Sequence, residues 1–228
     1  MHMQFCGAAG EVTGSCTKLD IEDTSLLIDC GLIQGGRYAE EKNFDPFPFH
    51  ADQIDAVIMT HAHLDHCGRL PKLMNQGFQG KIYATDATCD IIPLILLDAA
   101  HLMADEAERH NHPPLFTEED VMHVMDRLTP IPYHQETRIA SGVTITLHNA
   151  GHVLGSAFVE IKGEGKNIVF SGDLGNYPVP LLPEPDPLPQ ANALVVESTY
   201  GDRTHGNYEE GIKILEATIR DTVQSNGV

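Results

Sequence analysis

His61-Ala62-His63-Leu64-Asp65-His66 packs three imidazoles and a carboxylate into one short run, enough donors to serve two metal ions at once. The stretch before it, Asp55-Ala56-Val57-Ile58-Met59-Thr60, reads as a short apolar strand. The stretch after it, Cys67-Gly68-Arg69-Leu70-Pro71-Lys72-Leu73-Met74, reads as the start of a helix. The donors therefore sit at the carboxyl end of a strand, where open α/β folds gather ligands and chemistry.

Two more segments complete the donor set. Ala150-Gly151-His152-Val153-Leu154-Gly155-Ser156 and Phe170-Ser171-Gly172-Asp173-Leu174-Gly175 each place one potential ligand directly after an apolar, alternating stretch. Three further motifs accompany them: Phe5-Cys6-Gly7-Ala8-Ala9-Gly10-Glu11-Val12-Thr13-Gly14-Ser15, Leu27-Ile28-Asp29-Cys30-Gly31 and Val196-Glu197-Ser198-Thr199-Tyr200-Gly201-Asp202-Arg203-Thr204-His205. Taken together and in this order, they resemble the metallo-β-lactamase superfamily of hydrolases, and within it the β-CASP branch of RNA-processing and some DNA-processing nucleases.

The resemblance implies an α/β fold, a metallo-β-lactamase-like αββα sandwich with mixed sheets, incomplete at the carboxyl end. It implies that His61, His63 and His152 hold a first zinc, that Asp65 and His66 serve a second, and that the Asp173 carboxylate bridges both. Asp29 matches an acid that steadies the ligands from behind. Asp65 would also orient the attacking water, and Glu197 matches the acid that supports a later histidine in protonating the leaving group. His205 lies in the Glu197 motif and is assigned a role toward substrate or toward the ligands. Residues 1–205 are expected to form the amino-terminal part of the metallo-β-lactamase domain, and 206–228 the beginning of an inserted β-CASP domain.

The function so implied is hydrolysis of RNA phosphodiesters by a hydroxide held between two zinc ions, with manganese or iron as the other metals that imidazole and carboxylate accept. Two alternatives come from other classes: a hydrolase of a small ester or thioester on the same fold, and a non-catalytic metal-binding fragment. RNA is the expected partner, with no membrane, a cytoplasmic location, and a protein partner or homo-oligomer admitted.

Composition bounds these readings. The formal charge of −19 leaves no broad basic track for phosphates. No stretch approaches the ~18 consecutive apolar residues that span a bilayer, and the five cysteines follow no framework spacing and read as reduced thiols. Cys67 reads as a small residue at the helix start. His101, His110, His112, His123, His134 and His148 are given no ligand role. Strands are expected over 4–7, 16–21, 25–29, 56–60, 81–84, 143–148, 157–161, 167–170 and 194–197, and helices over 86–109, 117–127 and 208–223. The proline-dense run from Asn176 to Gln190 is expected to be extended chain packed over the site rather than a docking peptide.

Overall fold

A computed structural model describes residues 1–228 apart from 111, 112, 178–180, 205, 207, 226 and 228. The chain opens with three antiparallel strands, β1 (His2–Gly7), β2 (Cys16–Ile21) and β3 (Thr24–Ile28). A short helix α1 (Arg37–Glu41) precedes β4 (Ala56–Ile58), which pairs parallel to β3, Leu27 facing Val57. Helices α2 (Leu64–Cys67) and α3 (Leu70–Asn75) lead to β5 (Lys81–Ala84). Beyond it come α4 (Asp86–His110), α5 (Glu118–Met125) and β6 (Leu128–Pro130), and β5 and β6 continue the parallel half of one six-stranded mixed sheet ordered β1 to β6.

The second sheet has five strands in the order β11-β10-β9-β8-β7. Its members are β7 (Thr137–Ala140), β8 (Val143–Asn149), β9 (Ala157–Gly163), β10 (Lys166–Phe170) and β11 (Ala193–Val195). All its pairings are antiparallel except β10 with β11, so this sheet is mixed as well. Alternation along the strands builds the interior. Leu19, Ile21, Leu26, Ile28 and Ile58 of the first sheet meet Ile145, Leu147, Val159, Ile161 and Phe170 of the second in one buried cluster. The opposite face of the first sheet, through Leu27, Val57, Met59 and Ile82, packs against Leu70 and Leu73 of α3, Ile92 and Leu96 of α4, and Val121 and Val124 of α5. Two mixed sheets face to face, with α3, α4 and α5 on the outer face of the first, are the sheet core of the sandwich that the motifs imply.

By length and composition α4 could cross a membrane, which the sequence reading did not anticipate. Its Ile92, Leu96, Ala99 and Ala100 are spent on the core beneath the first sheet. Helix α5 starts on the expected threonine: the Thr117 side chain accepts from the Asp120 amide, and the Thr117 amide donates to the Asp120 carboxylate at 2.8 Å. Strands β6 and β7 are additions to the expected set. The helix expected to begin at Cys67 starts at Leu64, with His63 as its cap residue, so Asp65 and His66 are helical. All five cysteines are free thiols.

The chain divides into two compact units, Met1–Val196 and Glu197–Val228. That second unit contains α6 (Tyr208–Gln224), with Ile212, Leu215, Ile219 and Val223 on one face and none of its described residues buried. Its end is closed by the Gly227 amide donating to the Thr222 carbonyl at 2.9 Å.

Candidate metal centre

Three strand ends deliver the candidate donors. Beyond β4 the Met59 amide still pairs with the Tyr83 carbonyl, and the chain then leaves the sheet at Thr60 and His61. His63 is extended and caps α2, which turns Asp65 and His66 back toward the sheet edge. His152 follows β8 in a turn whose His152 and Val153 amides both donate to the Ser156 hydroxyl, at 3.0 and 3.1 Å. Asp173 follows β10.

The fit at these ends is close enough to require glycine twice. A Cβ on Gly31 would stand 1.6 Å from the Asp65 carbonyl oxygen, and one on Gly172 would stand 2.6 Å from the Thr60 Cβ at a φ of +52°.

Donor atoms of His61, His63, His152 and Asp173 all lie within 4.8 Å of one another. His63 Nδ1 is 3.0 Å from His61 Nε2 and 3.2 Å from His152 Nε2. Asp173 Oδ2 is 3.8 Å from His61 Nε2 and 3.7 Å from His152 Nε2. A tetrahedral ion with bonds of about 2.0–2.1 Å needs ligand atoms roughly 3.3 Å apart. The four donors therefore fit one cation with only small adjustment.

The other oxygen of the same carboxylate, Asp173 Oδ1, faces His66 Nε2 at 3.2 Å. Asp65 Oδ2 stands 3.9 Å from that nitrogen. Asp173 thus turns one oxygen to each of two donor groups, the geometry a bridging carboxylate requires. His61, His63, Asp65, His66, His152 and Asp173 are all brought together at this edge.

The buried Asp29 explains which nitrogen each ring presents. Asp29 adopts a left-handed φ of 60°, and its amide bonds the Ile58 carbonyl at 3.0 Å, which turns the side chain under the cluster. Its carboxylate accepts from His66 Nδ1 at 2.7 Å, from the Thr60 amide at 2.8 Å and from the Thr60 hydroxyl at 2.9 Å. Having donated its only proton to Asp29, the Thr60 hydroxyl accepts from His61 Nδ1 at 3.0 Å. Both rings are thereby fixed with the Nδ1 proton directed away and the Nε2 lone pair aimed at the cluster. Thr60 was passed over in the sequence because a threonine ending a strand carries no signal of its own.

The charges agree with this arrangement. Burial, reinforced by the His66 charge, pushes the His61 imidazole down to about 2. Burial works against the His66 imidazolium too, but the Asp29 and Asp173 carboxylates outweigh it and carry the group up to about 10. Burial opposes ionisation of Asp173, yet its bond to His66 holds the carboxyl down at about 2. A divalent cation would take the place of the His66 proton. Cys67 is fully buried and its thiol donates to the Ala62 carbonyl at 3.4 Å, away from this donor set; burial raises its pKa.

Glu197 belongs to the second unit, and His205 lies outside the described residues. In the proline-dense run the chain turns at Leu181, which has a left-handed φ of 72°, and residues 184–186 pack on the end of β8. The Asp186 amide donates to the Asn149 carbonyl at 2.9 Å, and Pro185 sits against Gly151.

A sequence profile described as a metallo-β-lactamase superfamily domain matches residues 18–176, from β2 to just past Asp173. Ribonuclease TTHA0252 of Thermus thermophilus is 42% identical over 221 residues, which cover 97% of this chain and 49% of that protein. Transcription termination factor FttA of Methanocaldococcus jannaschii is 35% identical over 233 residues, covering 100% of this chain and 36% of that protein. The chain thus spans about half and about a third of their respective lengths. Among solved structures, a HARLDQ-motif mutant of a metallo-β-lactamase from Cronobacter sakazakii superposes with a TM-score of 0.51 at 20% identity, over 78% of this chain and 64% of that one, a likeness of fold alone. The fold and the His/Asp cluster point to divalent-metal binding, and with the profile running through most of both sheets this chain belongs to the metallo-β-lactamase superfamily.

Proposed function

We propose that this chain is the metal-binding part of a β-CASP-type phosphodiester hydrolase acting on RNA, with residues 1–205 as metallo-β-lactamase domain and 206–228 as the start of the inserted domain. The observation that carries the reading is the split Asp173 carboxylate. One oxygen faces His61 and His152, the other faces His66, so the residues present suit a pair of cations. The names of the similar proteins, a ribonuclease and a transcription termination factor, favour RNA over a small ester.

In this reading His61, His63 and His152 would hold one zinc, Asp65 and His66 would serve another, and Asp173 would be shared between them. Such a pair supplies a strongly acidified water at neutral pH and offsets charge on the phosphate. The chain's own residues do the rest. Asp29 keeps the His66 Nδ1 proton out of the site directly and the His61 Nδ1 proton out through Thr60. The Asp65 carboxylate accepts a hydrogen bond from the attacking water and so aims its lone pair at phosphorus. Glu197 holds the group that protonates the leaving oxygen, and His205, in the same sequence motif, acts toward substrate or toward the ligands. The charge of −19 repels RNA, so grip comes from the cations, from further chain or from a partner.

The test is cleavage of a labelled single-stranded RNA by the longest natural form of the protein. His63→Ala and Asp173→Ala should each abolish cleavage while leaving the circular-dichroism spectrum intact. Unchanged cleavage overturns the proposal. Turnover of a small ester with no cleavage of RNA would transfer the function to that class.

A further inference from the structure

A second cluster of residues able to ligate a metal lies outside the site just described, at histidines with no ligand role expected from the sequence. Donor atoms of His134, His148 and Asp186 all fall within 4.8 Å of one another. They come from three separate segments: the connection between β6 and β7, strand β8, and the proline-dense run.

Each donor is anchored by the backbone or by a buried acid. His134 has a left-handed φ of 63°, and its amide bonds the Leu147 carbonyl at 2.8 Å. Its Nε2 meets Asp186 Oδ2 at 2.7 Å. That same Asp186 oxygen accepts from the Asn149 amide at 2.6 Å, and the Asp186 amide returns a bond to the Asn149 carbonyl. His148 gives its Nε2 proton to Glu160 at 3.0 Å and stacks on Phe158.

Glu160 is itself buried and is held by the Asn167 side-chain amide at 2.7 Å. A carboxylate fixing one ring nitrogen leaves the lone pair on the other, Nδ1, available to a metal. Asp29 does the same for His66 at the first cluster.

We propose that His134, His148 and Asp186 form a separate transition-metal site, taking Zn2+ or another imidazole-preferring dication, which clamps the segment around Asp186 onto the end of β8. Two imidazoles and one carboxylate are a zinc-type donor set with room for water. His134 Nε2 and Asp186 Oδ2 stand 2.7 Å apart, closer than the roughly 3.3 Å edge of a tetrahedral site, so one donor has to move. His134 is the exposed member and has space to do so.

The experiment is equilibrium dialysis against Zn2+, followed by metal analysis, on the full chain and on His134→Asn, Asp186→Asn and Glu160→Gln. Asparagine tolerates the left-handed backbone at residue 134. His134→Asn and Asp186→Asn should each bind one zinc fewer per chain, and Glu160→Gln should bind that zinc about ten-fold more weakly. In a His63→Ala background the same zinc should persist and then be lost with His134→Asn, which separates it from the first cluster. Amide exchange across residues 184–192 should slow on zinc addition in the parent and not in His134→Asn. Equal zinc content and equal exchange in parent and folded variants overturn the proposal. Circular dichroism identifies the folded variants, and Glu160→Gln, which keeps an acceptor for His148, decides the matter if the other two misfold.

Discussion

The two histidine clusters use the same kinds of chemical part, imidazoles and aspartate backed by a buried acid, yet they differ in how deeply they are built in. At the first, His61 and Asp29 are almost wholly buried, and Asp29 accepts from three groups that define the sheet edge. At the second, the acid Glu160 is buried but His134 is mostly exposed. The comparison teaches that a buried acid behind a histidine can do two jobs. Behind the first cluster it holds the backbone of the sheet edge and the ligands together; behind the second it holds side chains alone, the His148 ring and the Asn167 amide.

Removing those acids is the sharpest way to break the comparison. Asp29→Ala leaves the Thr60 amide and hydroxyl and His66 without their acceptor in a dry interior. It should cost about 3–5 kcal/mol of stability together with metal binding, both measurable by denaturant titration and metal analysis. A loss below 1 kcal/mol would show that the sheet edge does not depend on it.

A smaller effect is expected from Thr60→Val, which keeps the shape and deletes the hydroxyl. The His61 ring should lose the acceptor that fixes its tautomer, and metal affinity should fall roughly 10–100-fold with the fold intact. Affinity equal to the parent would remove Thr60 from the relay.

The pH dependence of folding in the presence of a chelator comes next. His61 sits below its ordinary value of 6.5, so the unfolded chain takes up a proton that the folded chain refuses, and stability should fall as pH drops below 6.5. His66 is raised to about 10, so its contribution is complete below 6.5 and should be lost as pH rises from there toward 10. Each slope approaches about 1 kcal/mol per pH unit. Stability should therefore peak near pH 6.5 with chelator. Saturating Zn2+ should shift the profile upward at neutral and alkaline pH, because the cation replaces those protons. A flat chelated profile would contradict this charge pattern.

The least effect is expected at the exposed end of the second cluster. With chelator present, His134→Asn should change stability by under about 1 kcal/mol, as exposed pairs do. A loss as large as that of Asp29→Ala would make the two clusters equivalent and end the distinction.

Much of this was legible in the sequence because it is local. Strands β2, β5, β9 and β10 carry alternating or continuous apolar residues, and the Thr117 cap is spelled out within four residues. Strand β6 was not legible. Leu128-Thr129-Pro130 is three residues ending in proline, and it is a strand only because β5 offers it a parallel edge, Ile82 facing Leu128. Strand β7, Thr137–Ala140, is one residue longer and likewise lacks a buried member.

The sequence by itself singled out the candidate donors of the first cluster. His61, His63, Asp65 and His66 fall where a strand gives way to a helix, and His152 and Asp173 follow apolar runs that end at the same kind of place. Only the tertiary structure decided which nitrogen each ring turns inward, that Thr60 links His61 to Asp29, and that Asp173 divides its two oxygens. It alone also assembled His134, His148 and Asp186. The physical reason is range: a ligand at a strand end is announced by its neighbours in the chain. A hydrogen bond between residues 29 and 66, or a cluster spanning 134 to 186, exists only once separate strands have packed.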